Sequence, residues 1–158
     1  MAKIPEIALK VGDVAPDFTA LATDGTSIKL AGLKKKHVIL YFYPRDDTPG
    51  CTKEACAFRD IYAEFKQRGA IVLGVSPDDV KSHGKFTEKF KLPFPLLADT
   101  DKKIVEAYGV WGEKSFMGRK YFGVSRVTFH IGPDGKIAHI WPEVKPENHA
   151  AEVLIALG

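Results

Sequence analysis

The chain contains only two cysteines, Cys51 and Cys56, and no long hydrophobic run. Two cysteines cannot build the disulfide framework of a small secreted protein, and such a pair is more often catalytic or metal-binding than structural. No stretch approaches the roughly 20 apolar residues of a membrane-spanning helix, so we expect no membrane partner. Charged residues interrupt the segment from Met1 to Gly12, which leaves no room for the apolar core of a signal peptide. We therefore expect a cytoplasmic protein.

The sequence also lacks a strong charge bias and any recognisable cofactor motif. The net charge of +3 is too small to indicate a nucleic-acid partner, and the Lys34–Lys36 run is typical of a solvated loop. The glycines form no phosphate-binding loop after a strand. We expect no metal and no other cofactor, because the histidines are scattered without ligand spacing, at His37, His83, His130, His139 and His149.

What the sequence does contain is a series of short apolar segments separated by turns. The 158 residues are enough for one domain, which we expect to span 1–158. The apolar runs Val38–Tyr43 and Ala70–Val75 are typical of strands buried on both faces. Asp24-Gly25 predicts an N-terminal β-hairpin. A later hairpin is expected from Val124–Ile131 and Ile137–Trp141, with Arg126 inside its first strand.

Periodic apolar residues between these strands predict helices. The first helix is expected to begin around Thr48–Cys51 and to end near Gly69. Further helices are expected over 80–90, 104–108 and 147–157, and 109–123 is expected to be an ordered irregular loop. Strands joined through helices form parallel pairs, and the late hairpin adds an antiparallel pair. The predicted fold class is therefore α/β, with a central mixed sheet flanked by helices and an N-terminal β-hairpin.

Cys51 is the strongest candidate for chemistry because of its predicted position. Thr48 is a good N-cap and Pro49 suits the first helical position, which places Cys51 in the first turn of a helix. Unpaired N–H groups and the helix dipole favour a thiolate there. A cysteine of ordinary acidity is only about 3% thiolate at pH 7, so this position increases reactivity. The alternative is an inert cysteine buried in the core.

Cys56 follows Cys51 by five residues. In an α-helix this spacing separates the two Cα atoms by roughly 8.7 Å, whereas a disulfide requires less than about 7 Å. The two thiols can therefore bond only if the first turns of the helix unwind. Alternatively, Cys56 simply packs into the helix face beside Ala55, and the spacing alone leaves both alternatives open.

Several motifs together resemble the peroxiredoxins, in particular the bacterioferritin comigratory protein, or peroxiredoxin Q, subfamily. The active-site motif appears as Pro44-x-x-x-Thr48-x-x-Cys51, with Cys56 at the spacing of the subfamily's second cysteine. The resemblance extends from about Val11 to the C-terminus. Its other motifs are Gly12-Asp13-Val14-Ala15-Pro16-Asp17-Phe18, Val75-Ser76-Pro77-Asp78, Leu92-Pro93-Phe94-Pro95-Leu96-Leu97-Ala98-Asp99, Tyr108-Gly109-Val110-Trp111 and Ser125-Arg126-Val127-Thr128-Phe129.

The resemblance implies a thioredoxin-like fold and a peroxidase that reduces hydrogen peroxide and organic hydroperoxides. Cys51 would be the peroxidatic thiolate and would become a sulfenic acid. Thr48 would hydrogen-bond the peroxide or the thiolate, and Pro44 would shape and shield the pocket. Arg126 would stabilise the thiolate and the charge on the oxygens. Cys56 would resolve the sulfenic acid as an intramolecular disulfide, which thioredoxin or a similar dithiol would reduce.

Two other functions are compatible with a pair of cysteines. A thiol–disulfide oxidoreductase acting on protein disulfides is the first, but the Trp-Cys-x-x-Cys motif is missing. A non-enzymatic binding module with an exposed apolar patch is the second, and it would not need Cys51. The resemblance implies a monomer or a weak dimer.

Overall fold

The computed structural model describes residues 7–158. Met1–Glu6 lie outside this range, and so does the first half of the charged segment on which the expectation of no signal peptide rests. The 158-residue chain forms strands and helices in the following order: β1 Thr19–Ala22, β2 Ser27–Lys29, β3 His37–Phe42, α1 Pro49–Asp60, α2 Tyr62–Gln67, β4 Ala70–Ser76, α3 Val80–Phe90, β5 Leu96–Ala98, α4 Lys103–Ala107, β6 Trp111–Phe116, β7 Arg119–Val124, β8 Val127–Ile131, β9 Ile137–Trp141 and α5 His149–Leu157.

Seven of these strands form one mixed sheet in the order β2-β1-β5-β4-β3-β8-β9. The pairs β3–β4 and β4–β5 are parallel, as expected for strands joined through helices. The pairs β1–β2 and β8–β9 are the two predicted antiparallel hairpins. The predicted α/β class with a mixed sheet and an N-terminal β-hairpin is confirmed.

The continuous apolar sequence of β3 reflects burial on both faces of the sheet. Leu40 and Phe42 pack into a core with α4 and β8, whereas Ile39 and Tyr41 face a second core. Helices α1, α2, α3 and α5 contribute side chains to this second core. Because β3 lies inside the sheet and is buried on both faces, it fixes the position of the loop that follows it.

The helix predicted from around Thr48–Cys51 to near Gly69 is in fact two helices. The helix α1 ends at Asp60, and Ile61 leaves helical geometry with φ −121° and ψ 17° before α2 begins. The break falls at a β-branched residue, which fits a helix less well than most. Phe58 and Phe65, on either side of the break, are both fully buried. The bend therefore lets both rings reach the same core.

The prediction of an irregular loop over 109–123 is wrong. This segment contains the hairpin β6–β7, paired in register from Trp111 opposite Val124 to Phe116 opposite Arg119. Its two-residue turn, Met117-Gly118, has φ of 50° and 81°, as a type I′ turn requires. Because β7 extends to Val124, Arg126 precedes β8 and does not lie inside a strand as predicted.

Candidate active site

The loop between β3 and α1 carries Pro44 and Thr48 to the start of the helix. Thr48 occupies the predicted N-cap position with extended backbone angles, and Pro49 follows as the first helical residue. The Thr48 side chain does not cap the helix, because its Oγ1 donates to the Arg45 carbonyl at 3.0 Å. The predicted cap position is right, but the predicted capping hydrogen bond is absent. Pro44 is half-buried at the start of the loop.

Cys51 is the third residue of α1 and is only 1% exposed. Arg126 donates from Nη2 to Cys51 Sγ at 3.2 Å, although 75 residues separate the two in sequence. Cys51 and Cys56 are both free, and Cys56 is half-buried further along the same helix. The structure thus brings the predicted Cys51 and Arg126 into direct contact, in a largely apolar setting where a charge-assisted hydrogen bond is strong.

Arg126 is held in place by two residues that the sequence analysis did not identify. Its Nη1 donates to Glu54 Oε1 at 3.2 Å. Its Nη2 lies so close to the Gly50 backbone that a Cβ at this position would come within 2.6 Å of it. Gly50 therefore allows the guanidinium to lie over the first turn of α1, and Glu54 fixes its orientation. The spacing of three residues between Cys51 and Glu54 was the available signal, because it places both on one helix face.

Glu54 is a buried carboxylate with one charged partner. It is 1% exposed, and its Oε2 has no hydrogen-bond partner among residues 7–158. Burial raises the pKa of Glu54 to about 7, although Arg126 opposes the shift. The neighbouring Tyr41 hydroxyl is also buried, and burial raises its pKa well above the usual value, with Glu54 and Cys51 adding to the shift. Negative charge is therefore costly here except where Arg126 compensates it.

A second cation approaches the site from the β6–β7 hairpin. Lys114 is half-buried and donates from Nζ to the Val124 carbonyl at 2.9 Å. Burial and the nearby Arg126 lower the pKa of Lys114, whereas Cys51 acts in the opposite direction. The hairpin that the sequence analysis missed thus adds positive charge near Cys51.

A buried hydrogen-bond network anchors the loop before Thr48. Asp46 accepts from the Tyr43 hydroxyl at 2.5 Å and from Ser82 Oγ at 2.8 Å, and its Oδ2 lies 2.7 Å from His83 Nδ1. The Asp46 backbone N–H donates to Asp78 Oδ2 at 2.8 Å. Although Asp46, Asp78 and His83 are close enough to hold a metal ion, protein donors already engage these acceptors. We therefore interpret the network as an anchor between the loop and α3.

Comparison with known proteins identifies the family. The model of the AhpC/TSA family matches residues 11–140. The chain belongs to the AhpC/TSA family. Peroxiredoxin Bcp of Bacillus subtilis is 44% identical over 151 residues, which cover 96% of each chain. Peroxiredoxin Bcp of Escherichia coli is 46% identical over 146 residues, which cover 92% of this chain and 94% of that protein. The chain is accordingly a peroxiredoxin and a thiol peroxidase.

Solved structures of peroxiredoxins have the same thioredoxin-like fold. A cysteine mutant of PrxQ from Xylella fastidiosa superposes with a TM-score of 0.89 at 37% identity, covering 94% of this chain and 95% of that one. Peroxiredoxin Q from Xanthomonas campestris gives 0.87 at 38% identity, covering 96% of each chain. Within residues 7–158 of this peroxiredoxin, no helix is long and apolar enough to cross a membrane.

Proposed function

We propose that Cys51 is the peroxidatic nucleophile of this peroxiredoxin. The observation that carries the proposal is the 3.2 Å hydrogen bond from Arg126 to a sulfur that is only 1% exposed. In the reaction, the thiolate attacks one peroxide oxygen, an S–O bond forms and the O–O bond breaks. The sulfur is oxidised to a sulfenic acid, and the second oxygen leaves with a proton as water or an alcohol.

In this proposal Arg126 and Thr48 act on the peroxide, and Pro44 and Glu54 support the site. Arg126 stabilises the thiolate and then the negative charge that develops on the leaving oxygen. The Thr48 hydroxyl now donates to the Arg45 carbonyl, and it can turn to hydrogen-bond a peroxide bound at the N-terminus of α1. Pro44 shapes the same loop and limits access of water to the sulfur. Glu54 supports the reaction by orienting Arg126.

We propose that Cys56 resolves the sulfenic acid. Its thiolate attacks the oxidised Cys51 sulfur, an S–S bond forms, and hydroxide leaves and takes up a proton to become water. Both residues belong to α1, so the first turn must unwind before they can meet. Oxidation favours this step because a neutral sulfenic acid interacts with Arg126 more weakly than a thiolate does.

The proposed substrates are hydrogen peroxide and small organic hydroperoxides. Support comes from the bacterioferritin comigratory protein of Xanthomonas campestris, which is described by its alkyl peroxide reduction activity and is 37% identical to this chain with a TM-score of 0.87. The Cys51–Cys56 disulfide would be reduced by thioredoxin or a similar dithiol. We further propose that the enzyme works as a monomer in the cytoplasm, where such reductants keep thiols free.

Peroxide consumption with thioredoxin, thioredoxin reductase and NADPH tests these roles. We expect Cys51→Ser to be inactive and Cys56→Ser to react once and then stall as a sulfenic acid, which a dimedone adduct detects by mass spectrometry. Steady turnover of Cys56→Ser would remove its resolving role. Full activity of Cys51→Ser would overturn the proposal. Reduction of insulin disulfides without peroxide would instead indicate a thiol–disulfide oxidoreductase.

A further inference from the structure

Three histidines that are distant in sequence lie on adjacent strands of the sheet. His37 begins β3, His130 lies on β8 and His139 lies on β9, and these strands are neighbours in the order β3-β8-β9. His130 is paired with Ile39 on one side and with His139 on the other. Because side chains alternate along a strand, His37 shares a face with Ile39 and therefore with His130 and His139. The sheet thus assembles a row of imidazoles that no sequence spacing indicates.

Two of these rings are already in contact. His37 Nδ1 lies 2.9 Å from His130 Nε2. Two nitrogens that bind one metal ion at about 2.0 Å are roughly 2.8 Å apart when they are at right angles, and about 3.3 Å apart in a tetrahedral site. The observed separation lies between these two values. A rotation of the half-buried His37 ring would therefore aim both nitrogens at a common point with little change in their separation.

The partners of these two rings distinguish them from the other buried histidines. His83 lies against the Asp46 carboxylate and the Leu97 carbonyl, and His149 lies against the Thr128 hydroxyl. The partner of His130 is instead another imidazole. Burial, with smaller contributions from His37 and His139, lowers the pKa of His130 to about 4. The facing nitrogens of His37 and His130 share one hydrogen bond, so a metal ion bound by both would replace the proton that lies between them.

His139 is positioned to supply a third nitrogen. It is exposed and lies directly opposite His130 in the β8–β9 register, where paired Cβ atoms are about 5 Å apart. Its ring now stacks on Trp141 with a centroid distance of 3.9 Å, and rotation about χ1 would turn it toward His130.

We propose that His37, His130 and His139 form a binding site for a divalent late transition metal ion. Imidazole ligands favour Cu²⁺ most strongly and also bind Ni²⁺ and Zn²⁺, whereas Mg²⁺ and Ca²⁺ prefer oxygen. The site is separate from the peroxidase centre. His37 begins β3, whereas Cys51 follows its other end, and the length of this strand alone is roughly 17 Å.

Titration of the full-length chain with Zn²⁺ by isothermal calorimetry at pH 7.4 tests the proposal. The parent protein carries Cys51→Ser and Cys56→Ser, so that thiolates do not contribute ligands. We expect saturable binding of a single ion. Affinity should fall in His37→Gln and in His130→Gln by at least the roughly 10–100-fold that loss of a residue merely supporting a metal ligand costs. In Asp78→Asn, the matched control at the Asp46–Asp78–His83 cluster, affinity should not change. Cu²⁺ bound to the parent should show nitrogen superhyperfine splitting in its EPR spectrum, and this splitting should diminish in both histidine variants.

Unchanged affinity in His37→Gln would overturn the proposal, and so would loss of binding in Asp78→Asn alone. If His130→Gln does not fold, His37→Gln still decides, because His37 is half-buried at the first residue of a strand. In the chain that retains both cysteines, His37→Gln should keep the peroxidase rate within about twofold. The metal site and the peroxidase function therefore fail independently.

Discussion

Replacement of Gly50 by alanine should separate the reactivity of Cys51 from the stability of the fold. A Cβ at Gly50 would lie 2.6 Å from Arg126 Nη2 and 3.3 Å from Cζ, and the first of these distances is too short for any real contact. The guanidinium is the far end of a long, flexible side chain, so it can move away from a Cβ at position 50 without a backbone shift. Withdrawal breaks its 3.2 Å hydrogen bonds to Cys51 and Glu54.

The expected effect on reactivity is large and the expected effect on stability is small. A hydrogen bond to a charged group contributes about 1.5–3 kcal/mol, and its loss corresponds to a roughly 10- to 150-fold slower reaction of the thiolate with peroxide. Alanine is favoured over glycine inside a helix by about 0.5–1 kcal/mol, which offsets part of the lost contact with Glu54. Near pH 7 Glu54 can also take up a proton when Arg126 leaves, because its pKa is already raised to about 7.

Single-turnover stopped-flow oxidation of Cys51 by hydrogen peroxide measures the rate, and urea unfolding measures the stability. The matched control is Gly84→Ala in α3, where a Cβ would meet nothing within 4 Å. We expect Gly84→Ala to be slightly stabilised and to react at the wild-type rate. The reasoning is refuted if Gly50→Ala reacts as fast as wild type, or if Gly84→Ala slows to the same extent.

Three further predictions concern ionisable groups in the fold. Because burial raises the pKa of Glu54 from 4.5 to about 7, the free energy of unfolding should fall as pH rises through this window; Glu54→Gln should remove this slope in urea titrations. Burial lowers the pKa of His149 from 6.5 to about 4, so lowering the pH favours the unfolded chain, which binds a proton at His149 more readily than the folded one. The free energy of unfolding should therefore be at its full value above pH 6.5 and fall as the pH drops toward 4. The His149 ring should show no NMR titration above about pH 5. Asp46→Asn should destabilise the fold by about 1–3 kcal/mol because it disturbs the buried hydrogen bonds with Tyr43, Ser82 and His83. Asp47→Asn, which breaks an exposed 2.9 Å ion pair with Lys89, should cost less than about 1 kcal/mol in thermal unfolding.

The features that the sequence predicts well are those that depend on neighbouring residues. The Val38–Tyr43 run indicates a strand buried on both faces, because no residue in it is suited to solvent. Pro49 and the residues around it indicate a helix start and therefore place Cys51 in the first turn. Both predictions agree with β3 and α1. In each case the decisive signal lies within a few residues of the feature itself.

The features that local sequence patterns do not predict depend on strand order or on weak turn signals. The family resemblance implies that Arg126 acts on Cys51, but local spacing alone could not, because their approach requires β8 to lie beside β3. The same pairing brings His130 to His37. The β6–β7 hairpin was missed because its turn, Met117-Gly118, is not the Asn-Gly type that signals a type I′ turn.

The first turn of α1 has features that favour a Cys51 thiolate and features that would ease the unwinding required by the proposed disulfide with Cys56. After Pro49, which suits the first helical position, the residues Gly50, Cys51 and Thr52 are all poor helix formers, and Thr48 provides no side-chain cap. Free N–H groups at this end favour a thiolate, but the same groups leave the turn with few hydrogen bonds to lose.

The cost of opening that turn depends on what the rest of α1 contributes. Ala55 and Phe58 are completely buried and hold the later turns against the sheet, so we expect the unwinding that the proposed Cys51–Cys56 disulfide needs to be confined to the residues before them. Glu54 is the last residue before these anchored turns. Burial deprives its ionised form of hydration and so raises its pKa to about 7, and opening of the turn would restore that hydration. While Cys51 is a thiolate, Arg126 is held by Cys51 and Glu54 together and closes the turn. In the proposed mechanism, Glu54 alone would remain as the charged partner of Arg126 once the sulfur is oxidised and neutral. The preference of ionised Glu54 for water above pH 7 would then favour opening of the turn toward Cys56, as the proposed resolving step requires.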